Sequence, residues 1–176
     1  ARVMKMGDGG FRPAYNAQFT TDTESRVIAS ASVTNQGNDY GLMPSALHDV
    51  EVRTGQRPAS HLVDGGYAVK EDIEMAAARS IVVYAPVQKS RKPGEDPHRP
   101  RETDSPAVAE WRARMAEPEA KEIYKLRAAT AETVNADLRC FRGLDRFRVR
   151  TLPKVTCLVL WSVLAYDILR LFALTS

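Results

Sequence analysis

The sequence predicts a mixed α/β fold, and two patterns carry that expectation. Residues 27–34 (VIASASVT) alternate Val27, Ala29, Ala31 and Val33 against Ile28, Ser30 and Ser32, which is the period of two of a half-buried strand. Farther on, short apolar runs at residues 61–64 and 81–84 bracket a helix-patterned stretch. Strand, helix and strand in that order build an α/β sheet.

The elements follow in chain order. Residues 14–22 (AYNAQFTTD) supply the first arm of a β-hairpin, turned by Thr23-Glu24-Ser25-Arg26 and closed by the turn residues Asn35-Gln36-Gly37-Asn38. Asp39 is placed to cap a helix running to about Thr54, with Gly55 as its stop. His61-Leu62-Val63-Asp64 reads as a strand ending on a carboxylate and broken by Gly65-Gly66. Residues 69–79 read as a helix, and Ile81-Val82-Val83-Tyr84 as a second buried strand. Residues 88–106 hold four prolines and almost nothing apolar, so they are expected to be a solvated, flexible linker. They divide a sheet-containing part (1–87) from a helical part (107–176). Helical sequence resumes at Ala107, restarts at Pro118, and runs to about Phe141 before Gly143. A basic loop and Pro153 lead into an apolar final helix.

Composition sets outer limits. The 176 residues fit one domain, 44% of them are hydrophobic, and the formal charge is +3. Such a charge leans towards an anionic partner. Cys140 and Cys157 lie in no zinc-type spacing with each other or with His48, His61 and His98; both are expected to be reduced core thiols. The first 30 residues hold no leader-type apolar run. The uncharged run from Val155 to Tyr166 is 12 residues long and is followed by Asp167 and Arg170, too short to span a bilayer. It is read as a buried terminal helix, with no membrane and a cytoplasmic location. The chain opens at Ala1 without Met and reads as a piece of a longer protein.

Three features could carry chemistry. Asp64 ends a strand before Gly-Gly, where α/β proteins place ligands, and its hard oxygens suit magnesium; an ordinary Asp-Gly turn is the competing reading. Tyr124, Arg127, Glu132 and Arg139 fall within about 140° of arc on one continuous helix. That would set a carboxylate among a phenol and two guanidinium groups able to grip a phosphodiester, unless they are merely the paired charges of an amphipathic helix. Residues 139–154 carry six basic residues against one acidic, Asp145, with Phe141 and Phe147 interleaved. They suit a phosphate backbone or a solvated basic loop over core aromatics. Gly7-Asp8-Gly9-Gly10 precedes a strand and lacks the Lys-Ser/Thr of a phosphate loop. His48-Asp49 has no nucleophilic partner for a triad.

Taken in order, these segments resemble the DDE transposases of bacterial insertion sequences. Tyr15-Asn16-Ala17-Gln18 resembles that family's second strand, and Val33-Thr34-Asn35 with Asn38-Asp39 its third-strand exit. Val63-Asp64-Gly65-Gly66-Tyr67 resembles its Asp-x-Gly-Tyr motif. Tyr124-x2-Arg127-x4-Glu132-x6-Arg139 resembles its Tyr-Arg-Glu-Lys signature, with Arg139 where Lys is usual and Gly65 where Ala is common. The long insertion many relatives carry between the second and third carboxylates is lacking.

The resemblance implies an RNase-H-like mixed sheet flanked by helices, incomplete at the N-terminus. It implies three carboxylates binding two Mg2+ or Mn2+ ions. Asp64 and Glu132 would be the second and third catalytic carboxylates, with the first expected upstream of Ala1, so that the chain alone would be inactive. Tyr124, Arg127, Arg139, Arg146, Arg148 and Arg150 would bind DNA. The partners would be double-stranded transposon-end and target DNA, and other copies of the enzyme in the active complex. The alternatives are a non-catalytic DNA-binding remnant of a transposase and a metal-dependent nuclease of the same fold.

Overall fold

The computed structural model describes residues 1–6, 9–89 and 94–176. They form two compact units, one of Ala1–Asn38 with Ala129–Ser176 and one of Asp39–Ala128. The chain is mixed α/β. Among the described residues the strands make three two-stranded pairs, where one mixed sheet was expected.

In the first unit, β1 (Arg2–Lys5) and β2 (Phe11–Ala14) pair antiparallel with Arg2 opposite Ala14. Both strands are short and largely exposed, so no apolar alternation marks them. The expected hairpin is β3 (Asn16–Thr21) against β4 (Ile28–Thr34), with Asn16 opposite Thr34. Asp22 fastens its turn, its Oδ2 accepting from Ser25 N at 2.7 Å and Ser25 Oγ at 2.6 Å. The register passes from Thr20–Ser30 to Thr21–Ile28 and skips Ala29. This bulge inverts the alternation, which is why Ile28 and Ala31, three residues apart, are both buried.

The remaining elements of this unit are α5 (Thr133–Cys140) and α6 (Leu152–Thr175). Val134 and Leu138 on α5 and Val155, Val159 and Val163 on α6 close a core with Ile28 and Ala31. The expectation that α6 is buried does not hold. Only Val155, Val159, Ser162 and Val163 are buried, while Trp161, Leu169, Leu171 and Phe172 are exposed. At 24 residues α6 is also long and apolar enough, by length and composition, to cross a membrane; the 12-residue estimate failed because Asp167 and Arg170 lie inside the helix. Those two charges instead tie α6 to the hairpin. The Asp167 carboxylate accepts from Ile28 N at 2.9 Å, and Arg170 Nε donates to Ser25 O at 2.5 Å. Cys140 and Cys157 are free but exposed, not core residues; each lies off the apolar stripe of its helix.

The second unit holds α1 (Met43–Thr54), β5 (Ser60–Leu62), α2 (Lys70–Ala78), β6 (Val82–Tyr84), α3 (Pro106–Ala116) and α4 (Pro118–Arg127). β5 and β6 are parallel, Ser60 opposite Val82, with α2 as the connection that parallel strands require. Their core joins Met43, Leu47, Val63, Ile73, Val83, Val108, Trp111 and Met115. Asp39 does not cap α1, which is entered through Leu42 with Pro44 in its first turn; Gly55 ends it with φ +68° as expected. Ser105 caps α3, its Oγ accepting from Val108 N, and Trp111 Nε1 donates to Ala85 O at 3.2 Å.

Within the segment read as a linker, Ser90 to Pro93 lie outside the described residues. Its last turn is anchored, not solvated. The Asp104 side chain is fully buried and accepts from Lys70 Nζ and Arg112 Nε, each at 2.7 Å. Burial alone would raise its pKa, but the Lys70 hydrogen bond, the Arg101 N–H and the Arg112 charge outweigh that and hold it below the usual carboxylate range. Arg112 also donates to Pro97 O at 2.7 Å. A carboxylate eight residues from its arginine partner leaves no mark in a periodicity analysis.

His61 on β5 is buried, and desolvation pushes its imidazole down to about 4. The unfolded chain takes up this proton near pH 6.5. The folded chain therefore resists protonation between pH 6.5 and 4, and stability falls as pH falls through that window. The full effect is on the order of 3 kcal/mol. Denaturant unfolding of the native chain and of His61→Leu across that range should give a steeper loss in the native chain; parallel curves would contradict the burial of a neutral imidazole.

Candidate active site

Asp64 stands where the parallel pair ends. Val63 N donates to Tyr84 O at 3.0 Å and prolongs the pairing by one residue. The next side chain therefore leaves from the carboxyl ends of β5 and β6, the ligand-bearing edge of parallel α/β architectures. A tight turn then fixes it. Gly66 N donates to Asp64 Oδ1 at 2.8 Å, and Tyr67 N donates to Asp64 O at 3.2 Å. The other oxygen, Oδ2, lies 3.6 Å from Arg127 Nη2, an ion pair too long to be a direct hydrogen bond.

Gly66 has no positive φ, and space beside it is tight on one side. A Cβ there would lie 3.1 Å from Asp64 Oδ1, closer than most such contacts, and at an ordinary 3.6 Å from Asp39 Oδ2. Asp39, expected as the cap of α1, instead lies near the turn after β5.

Tyr124 and Arg127 are three residues apart on α4 and share a face. Tyr124 packs partly buried against the core of its unit, which steadies the helix from which Arg127 reaches Asp64. Glu132 and Arg139 belong to the other unit, and both are exposed. The expected single arc of four side chains is not what forms. A π-helical turn, Ala128–Glu132, separates α4 from α5, so about 100° per residue cannot be carried across it. Local chemistry favours the widening: Thr133 Oγ1 donates to Ala129 O at 3.0 Å, a side-chain bond that competes for a helix carbonyl. The threonines at 130 and 133 were the signal available in the sequence.

In the basic loop the side chains alternate. Phe147 and Val149 pack inward on the core of the first unit, with Phe147 edge-on to Tyr15 at 6.2 Å. Arg146, Arg148 and Arg150 are consequently all exposed. Arg142 is used internally, donating to Asp137 Oδ1 at 2.7 Å and covering the Tyr166 ring. Phe141 is 83% exposed and is no core aromatic.

Among the described residues, no group of three or more His, Cys, Asp or Glu side chains gathers as a metal cage. The Asp64 and Asp39 side chains near Gly66 nevertheless offer carboxylate oxygens, the type that hard divalent cations take.

The family model described as Transposase DDE domain matches residues 2–168. The chain belongs to that family, whose fold is RNase-H-like and whose function is DNA transposition. No curated protein and no solved structure matches the chain.

Proposed function

We propose that this chain serves metal-dependent cleavage and joining of DNA phosphodiesters at the ends of a bacterial insertion sequence, with Asp64 and Glu132 as metal-ligating carboxylates. The observation that carries the reading is Asp64, rigidly turned at the end of β5 and paired with Arg127. A bound Mg2+ or Mn2+ supplies activation of the attacking hydroxyl and charge stabilisation on the leaving oxygen. The protein's own residues do the holding. Gly66 N–H fixes one Asp64 oxygen so that the carboxylate presents a single orientation. Arg127 neutralises the other and, with Tyr124 one turn away, is placed to bind the phosphate backbone. Arg139 adds a second guanidinium. In the in-line step a water or 3′-hydroxyl oxygen bonds to phosphorus as the bond to the leaving 3′-oxygen breaks. The enzyme would work in the cytoplasm, as an oligomer on the two transposon ends.

In the transposase carrying this chain, Asp64→Asn and Glu132→Gln should each lower strand transfer by ~100-fold or more, since metal ligation is worth several kcal/mol of transition-state stabilisation, while end binding in a gel-shift assay persists. Full joining activity in both variants would remove Asp64 and Glu132 from the active site, and absence of joining by the unsubstituted enzyme would favour the remnant reading instead.

The exposed Arg146, Arg148 and Arg150 are proposed as the phosphate-contacting face. Duplex affinity should fall steeply with salt, because each contact releases counterions. Replacing all three with Ala should weaken binding to unrelated duplexes about equally and flatten the logarithmic salt slope by up to ~3, nearly one per lost contact. A filter-binding titration that gives an unchanged slope would reduce them to a solvated loop.

A further inference from the structure

We propose that the outward face of α6 is a self-association surface, on which a second copy of this chain docks helix against helix. The pairing is independent of the metal-site reading, because α6 carries none of those residues. α6 packs on its own unit through Val155, Val159 and Val163. On the opposite side of the helix Cys157, Trp161, Leu164, Ile168 and Leu171 follow one another at alternating intervals of four and three, which sets them within about 80° of arc. All five are exposed. That spacing is the one by which two helices keep a continuous apolar seam in contact. The valine stripe already serves the core, so this second stripe calls for a partner.

Composition selects the occupant. From Cys157 to Leu174 the outward face carries no charge; Asp167 and Arg170 turn away from it, bonded to Ile28 N and Ser25 O of the hairpin. A charged partner finds no complement there. The same stripe on another copy does, because in a two-fold contact one patch meets itself. Leu160 and Phe172 flank the seam, and the large apolar side chains of this face are 36% (Leu160) to 65% (Trp161) exposed. At about 200 Å² for a free side chain of this size they leave roughly 600 Å² on each copy, so a symmetric pair covers roughly 1,200 Å², enough for a specific interface. An open groove of about 610 Å³, lined by Leu152 and Pro153 together with seam residues, gives the partner's side chains a seat. A bilayer is the wrong occupant. Spanning it would strip Asp167 and Arg170 from their backbone partners and leave two ions in hydrocarbon.

Sedimentation velocity of the full chain is the test. The native chain should sediment as a dimer that dissociates on dilution. Leu164→Asp combined with Ile168→Asp should weaken association by about thirtyfold or more, the scale of losing a hot-spot contact, with circular dichroism unchanged. Should that variant fail to fold, acrylamide quenching of the native chain decides. Trp111 is buried and responds little, so Trp161 reports on the face. It should be shielded at concentrations where the dimer sediments and become accessible on dilution. A native chain that stays monomeric, a dimer that survives both substitutions, or a Trp161 quenched equally in dimer and monomer would overturn the proposal. So would a monomer whose Trp161 is shielded only by added phosphatidylcholine vesicles.

Discussion

The second unit depends on how the chain leaves β5. A strand that ended in an ordinary coil would let the Asp64 carboxylate sample several rotamers, each with a different orientation of its oxygens. Here the Gly66 N–H holds one oxygen at 2.8 Å and the Arg127 guanidinium faces the other. Everything behind that turn serves to keep it still. The pairing with β6 is prolonged through Val63, α2 packs Ile73 and Ala76 beneath the strands, and Trp111 ties α3 to the residue after β6 through Ala85. Removing freedom before a ligand arrives is what preorganises an electrostatic site.

The first unit is built differently. Its hairpin would be marginal alone, and α6 supplies the missing apolar surface with one narrow stripe, Val155, Val159 and Val163. Asp167 and Arg170 then fix the helix to the turn end of the hairpin by hydrogen bonds to Ile28 N and Ser25 O. Burial pushes the Asp167 carboxyl upward, and the hydrogen bond from the Ile28 N–H opposes that rise. The same core turns Phe147 and Val149 inward, so the arginines between and beside them face solvent without any dedicated recognition helix. An exposed arginine face thus arises from the packing of its aromatic and aliphatic neighbours.

Where periodicity was strong, the sequence was informative. The alternation of residues 27–34 named the hairpin, and the apolar runs around residues 61–64 and 81–84 named β5 and β6. Gly55 announced the end of α1. What stayed hidden was set by tertiary packing. A bulge at Ala29 reverses the strand's faces without changing its composition. The π turn at Ala128–Glu132 shifts the faces of a helical run that propensity alone would continue as α-helix, because Ala and Glu are good helix formers. The burial of Asp104 is paid for by two cations that lie at positions 70 and 112. The apolar run ending on a carboxylate before Gly65-Gly66 marked Asp64 as a candidate, yet that Asp39 lies near the same turn follows only from the fold.

The central claim is that the Asp64 carboxylate, fixed by the turn after β5, is a ligand for a divalent cation. Iron-directed cleavage tests it most directly. Fe2+ substitutes for Mg2+ at hard oxygen sites, and with ascorbate and peroxide it generates radicals that cut the backbone next to the bound ion. The predicted result is a cut adjacent to Asp64 that excess Mg2+ suppresses. Cuts that avoid Asp64, or a pattern indifferent to Mg2+, would contradict it.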